Sequence, residues 1–202
     1  MTNTTTRRWS FRLAVVVLVL AVLGAVAAGW WYFVGSSQQT IRRAAAAAAE
    51  YLADCRSASP SDAVGVLTLP GGTGWLIQPG ADASLSGAIG WYTQTALPGQ
   101  VGNMAVVGQH LKSGGPFDSI LSIDVGDHIV VDTCDASYTY TVRVAPRDLA
   151  IQSTDTWVLD AVPGQPGTMP TSSWLTLIAN QDVLQSSRRV VGFAELTATA
   201  PK

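Results

Sequence analysis

The sequence predicts a mainly β domain, a closed or nearly closed barrel of short strands, preceded by an N-terminal transmembrane helix and an Ala-rich helix. Three observations carry this. An uncharged run of 22 residues, LAVVVLVLAVLGAVAAGWWYFV, extends from Leu13 to Val34. Six consecutive alanines follow at residues 44–49. From Ala63 onward, short apolar runs are separated by Gly, Pro, Asp and Asn, the punctuation of a many-stranded fold.

A helix of 22 residues rises roughly 33 Å, enough to cross a hydrocarbon core of about 30 Å. Arg7, Arg8 and Arg12 precede it without any acidic residue. The positive-inside rule then keeps residues 1–12 in the cytoplasm as a short tail and exports the rest. Trp30, Trp31 and Tyr32 fit an aromatic belt at the outer interface, and Trp9 lies near the inner one. A cleaved signal peptide is the alternative. The run is long for such an h-region, and bulky aromatics follow Ala27 and Ala28.

Residues 35–62 read as a juxtamembrane helix and linker. Gly35-Ser36-Ser37 loosens the exit, and 38–56 has high helix propensity. Ile41, Ala45, Ala48, Leu52 and Cys55 share one face, a small-residue stripe suited to close packing on the domain or a partner helix; a plain spacer is the other reading. SASPSD (57–62) is a linker by composition.

The remaining 63–202 form one domain. Strands are expected at 64–70, 102–108, 127–134, 137–145, 174–180 and 188–198, with Asp135-Ala136 as a tight hairpin turn. FDSILSI (117–123) fits a short helix. Trp75, Trp91, Trp157 and Trp174 are expected in core and rim packing.

Lysine and arginine total 12 against 14 acidic residues, for a formal net charge of −2, so nothing makes a basic surface for nucleic acid. His110 and His128 have no metal spacing to each other or to the cysteines, and no metal or cofactor is expected. No phosphate loop, paired-carboxylate site or nucleophile elbow is defensible. Cys55 and Cys134 both fall on the exported side, where disulfides persist. A bond between them would close a loop of about 80 residues and contribute roughly 4 kcal/mol through loop entropy; two unpaired thiols is the alternative.

The wording of several segments resembles the class E sortases. TALPGQVGNMAVVGQHLKSGGPF (95–117) resembles the segment leading to that family's catalytic histidine. TDTWVLDAVPGQPGTMPTSSWLTLIAN (154–180) resembles the segment leading to its catalytic cysteine. SIDVGDHIVVDTCDASYTYTV (122–142) fits the hairpin between them, and VGVLTLPGGTGWLI (64–77) the opening strand. The resemblance covers roughly 63–198 in order and implies an eight-stranded sortase β-barrel on a membrane tether. It also implies the outer face of a Gram-positive, actinobacterial membrane.

Sortases attack a sorting-signal peptide with a Cys thiolate, move protons through a His and stabilise the developing charge with an Arg. Carried over residue by residue, the histidine position, eight residues before the Phe of Gly-x-Pro-Phe, falls on Gln109. His110 is one residue later, which on a strand turns a side chain to the opposite face. The cysteine position falls on Asn180, at the end of Thr176-Leu177-Ile178-Ala179-Asn180. Gln181-Asp182 replaces the family's following His-Pro. Only the arginine has a match, Arg189, with Arg188 as the alternative.

Amides cannot form a nucleophilic anion or relay protons at neutral pH. The expectation is therefore a sortase-fold pseudoenzyme without catalytic residues. Gln109, Asn180 and Arg189 would then line a peptide-binding groove, or the two amides would be drifted positions. The partner would be an extended peptide segment or a membrane or cell-envelope protein. The alternative is a divergent sortase, a transpeptidase or hydrolase with another nucleophile.

Overall fold

The computed structural model describes residues 4–54, 63–81, 88–110, 114–180 and 187–202, with side chains at all of these except 4–15, 32–37 and 180. The chain divides into two units, 1–39 and 40–202.

The first unit is helical. It carries helix α1 (Thr4–Asp54) up to its division at residue 39. Its described apolar side chains from Val16 to Trp31 stand open on every face: Leu18 is 66% exposed, Leu23 59% and Trp31 80%. These 16 positions rise about 24 Å, and among the described residues no helix is long and apolar enough to cross a membrane. The expected break at Gly35-Ser36-Ser37 does not occur, and α1 is one element rather than two. A single glycine costs only about 1 kcal/mol against alanine, too little to stop a helix with strong formers on either side.

The second unit holds the rest of α1 and nine strands. These are β1 (Gly65–Thr68), β2 (Gly74–Pro79), β3 (Ile89–Trp91), β4 (Gly102–Gln109), β5 (His128–Asp132), β6 (Ala136–Val144), β7 (Ala150–Gln152), β8 (Ser173–Asn180) and β9 (Arg188–Pro201). Their order is β6-β5-β1-β2-β3-β4-β8-β9-β7, and β6 also pairs with β9. That last pairing closes eight strands into a barrel. β7 is a short addition on the first residues of β9, from Ala150↔Val190 to Gln152↔Arg188. Two junctions are parallel, β2–β3 and β4–β8; the others are antiparallel.

Alternation along each strand sorts side chains between two apolar clusters. Met104 and Val106 of β4, Leu175, Leu177 and Ala179 of β8, and Val190 and Ala194 of β9 fill the barrel with Ile77, Ile129 and Tyr140. Val107, Ile178, Val191 and Phe193 face the other way and meet Ile151 and Val158 in a second cluster. Burying each large aliphatic or aromatic side chain stabilises the fold by about 1.5–3 kcal/mol.

Residues 40–54 belong to this unit. Ile41 and Ala44 pack on the barrel cluster, and Ala48 is buried beside Gly74. The helix thus packs on the domain through Ile41, Ala44 and Ala48 rather than serving as a spacer; of the expected stripe, Ala45 and Leu52 are exposed and Cys55 lies outside the described residues. Alanine at 48 lets the helix approach: its Cβ lies 3.7 Å from where a Cβ on Gly74 would stand.

The six expected strands are all present. β2, β3 and β7 are additional. Ala136 begins β6 instead of sitting in the hairpin turn, because Thr133 N–H bonds to its carbonyl and closes the turn over Cys134 and Asp135. FDSILSI forms turns with one 3-10 turn at Ile120–Ser122. Trp157 opens another 3-10 turn and packs on the second cluster, 6.0 Å from Phe193 between ring centroids.

Candidate peptide groove at the ends of β4, β8 and β9

Three adjacent strands bring the sequence-predicted positions into one row. Gln109 ends β4 and is the register partner of Asn180, which ends β8. Asn180 is also the partner of Arg189, near the start of β9. Neighbouring strands lie about 4.8 Å apart, so the row spans roughly 10 Å. Residues two apart on a strand share a face. Gln109 therefore continues the face of Val107, and Arg189 that of Val191. These two residues share the face of the second cluster, outside the barrel interior. Gln109 and Arg189 are both half-buried.

The β4 end of the row is held by the chain that follows it. Phe117 N–H donates to the Gln109 carbonyl at 3.3 Å. The Phe117 ring is fully buried against Gly108, where any Cβ would stand 2.7 Å from it. His110 leaves the strand: its Nδ1 lies 3.0 Å from the Phe117 carbonyl. A carbonyl can only accept, so Nδ1 carries the proton and Nε2 is the basic nitrogen of the neutral ring. Asp118 beside it has its carboxyl raised by burial, against the lowering effect of Gly114 and Gly115 N–H groups and of His110.

The wall over the shared face is anchored by a buried polar pair that the sequence reading missed. Asn103 Nδ2 donates to the carbonyls of Val158 at 2.9 Å and Asp160 at 3.0 Å. Its Oδ1 accepts from Thr176 Oγ1 at 2.7 Å. An asparagine inside the apolar run GNMAVVG was the available signal, since a buried amide needs partners. The start of β4 is fixed separately: Gly99 N–H donates to Tyr140 Oη at 2.9 Å, and Gly99 adopts φ 75° against the Tyr138 ring.

Among the described residues, ion pairs engage Arg143, Arg147 and Lys202 but neither Arg188 nor Arg189. Cys134 sits in the β5–β6 turn, is disulfide-bonded, and its Sγ lies 3.7 Å from Tyr51 Oη. Cys55 lies outside the described residues, as do Gln181 and Asp182. His128 pairs with Thr141 across β5 and β6, on the exposed barrel surface, its Nδ1 3.1 Å from the threonine hydroxyl. The row therefore combines amide positions and an arginine, chemistry that binds backbone carbonyls or a carboxylate.

A sequence model of the sortase domain matches residues 71–197. Sortase SrtE1 of Streptomyces coelicolor is 28% identical over 121 residues, 57% of this chain and 34% of that protein, so the chain spans about a third of that relative's length. Sortase E from Streptomyces avermitilis superposes with a TM-score of 0.60 at 28% identity, over 71% of this chain and 93% of that one. The SrtF sortase of Corynebacterium diphtheriae shares the fold, with a TM-score of 0.63 at 22% identity over 70% and 88% of the two chains. The chain carrying this barrel and this row of strand ends belongs to the sortase family, in its class E branch.

Proposed function

We propose that the protein is a membrane-anchored, extracytoplasmic sortase-like pseudoenzyme that binds an extended peptide without cleaving it, as a subunit or scaffold of a cell-envelope complex. The register row Gln109–Asn180–Arg189 carries the reading. It keeps the arginine of the resemblance and supplies amides where a thiolate and an imidazole would be needed. Cys134 offers no substitute nucleophile, being disulfide-bonded in a turn between β5 and β6. A second sortase in the same membrane is a fitting partner, with the two proteins sharing one class of peptide.

Anchoring is supported by the helix surface. Val16 to Trp31 expose apolar side chains all round, with Val22 at 56% and Trp30 at 70%. Such a surface is stable in lipid and costly in water. The sequence prolongs it to the uncharged stretch 13–34.

The competing reading is a divergent sortase. His110 favours it, as an imidazole that directly follows Gln109. Titration calorimetry of the full chain in neutral detergent with Leu-x-x-Thr-Gly peptides separates the two. The proposal predicts saturable binding with the peptide recovered intact, weakened about 10- to 100-fold by Arg189→Ala. Recovery of cleaved peptide would support the divergent enzyme.

A further inference from the structure

Across the adjacent strands β4, β8, β9 and β7, the register-matched positions are Gln109, Asn180, Arg189 and Ile151. That line of neighbours holds one cation and no anion. Arg189 is half-buried, and among the described residues it makes no ion pair. Its two partners across the sheet are a neutral amide, Asn180, and an aliphatic residue, Ile151, and neither neutralises a guanidinium. Asp155, the carboxylate in the turn after β7, accepts instead from the Gln152 N–H at 2.7 Å. A cation partly withdrawn from water without a counter-charge carries a desolvation cost that an anionic ligand offsets and a neutral one does not.

This imbalance decides which part of a peptide suits the row. A peptide running through the site presents backbone carbonyls, which are neutral. A peptide ending there presents a carboxylate, which a guanidinium engages through two parallel charge-assisted bonds, each about twice as strong as a neutral one. Gln109 lies on the same face as Arg189, roughly 10 Å away across β8, and its amide supplies N–H donors to the other side of that chain end. We propose that the row captures the free C-terminal carboxylate of an extended peptide, with Arg189 holding the carboxylate and Gln109 donating beside it. The inference rests on the peptide-binding reading and narrows it: the preferred ligand is a chain that stops at the row rather than one that continues past it. Hydrolysis of a peptide bond creates such an end, so a peptidase-type reaction supplies the ligand.

The test is titration calorimetry of the full chain in neutral detergent with three probes. They are Leu-x-x-Thr with a free carboxylate, the same peptide as its C-terminal amide, and Leu-x-x-Thr-Gly as its amide. The expected result is binding of the free acid at least about tenfold tighter than of either amide, with the advantage shrinking as salt rises. Arg189→Ala should bring the acid to within about threefold of the amides, and so should Arg189→Gln, which keeps a long polar side chain without the charge. Urea unfolding checks that both variants fold, and the comparison of acid with amide on the unmodified chain needs neither. Equal affinity for acid and amides overturns the carboxylate site and leaves peptide binding standing. A preference that survives both substitutions places the carboxylate elsewhere and overturns the role of Arg189. No binding of any probe refutes the peptide-binding reading itself, and this proposal with it.

Discussion

Gln109 and Asn180 close the parallel strands β4 and β8 as direct register partners. Parallel pairing places the two strand ends on the same side of the barrel, and β9 then adds Arg189 beside Asn180. Gln109, 71 positions before Asn180, is thereby brought beside it and Arg189, and Val107 and Val191 carry the face of Gln109 and Arg189 into the second apolar cluster.

The β4 end depends on the contact between Gly108 and Phe117. A methyl group on residue 108 would stand 2.7 Å from a fully buried ring. Gly108→Ala is expected to cost about 1–3 kcal/mol through overpacking, and Phe117→Ala about 3–5 kcal/mol through the cavity left behind. Urea unfolding measures both. A neutral Gly108→Ala would show that this packing does not fix the strand end.

Asn103 holds the 158–160 turn against the shared face. Asn103→Ala leaves two carbonyls and the Thr176 hydroxyl without their partner, an expected loss of about 1–3 kcal/mol. Hydrogen exchange should rise selectively over 156–161. A double-mutant cycle with Thr176→Val should show coupling of at least about 0.5 kcal/mol; strict additivity would mean that the two side chains act independently.

Tyr140 links stability to alkaline pH. Burial raises its hydroxyl to about 12 from an ordinary 10.0, opposed by the Gly99 N–H it accepts. The folded state thus favours the neutral phenol more than the unfolded state does. This contribution is complete below pH 10 and is lost as pH rises through about 12, and it is on the order of 2–3 kcal/mol. Denaturant midpoints across that range should fall more steeply for the wild type than for Tyr140→Phe. Parallel profiles would contradict the assignment.

Cys134 is disulfide-bonded, and Cys55 is the only other cysteine in the chain. An intramolecular Cys55–Cys134 bond is expected. Non-reducing mass analysis should then show a monomer two hydrogens lighter than the reduced chain. Cys134→Ser should lower stability by roughly 4 kcal/mol, the entropy of an ~80-residue loop. A disulfide-linked dimer would replace this pairing with an intermolecular one.

Much of the barrel was legible because β4, β5, β6, β8 and β9 each have at least five residues, enough for apolar runs and turns to register. β3 and β7 have three residues each, too few to display a period of two, and only their partners identify them. The unbroken α1 was hidden by Gly35-Ser36-Ser37, a local signal too weak against strong helix formers on both sides. For the row, motif spacing located Gln109, Asn180 and Arg189 separately. Their adjacency is a property of sheet order, which no single segment encodes. The role of Asn103 was hidden for the same reason: its partners are 55 to 73 residues away.

The central claim, a peptide site without chemistry, is tested most directly by incubating Leu-x-x-Thr-Gly peptides with two forms of the full chain, since residues 40–54 pack with the barrel. One form is unmodified; the other carries Asn180→Cys and Gln109→His together. The account predicts no cleavage by the unmodified chain and measurable cleavage by the double variant, whose row would again hold a thiol, an imidazole and Arg189. Cleavage by the unmodified chain, with a trappable acyl intermediate, would contradict it and place the nucleophile elsewhere.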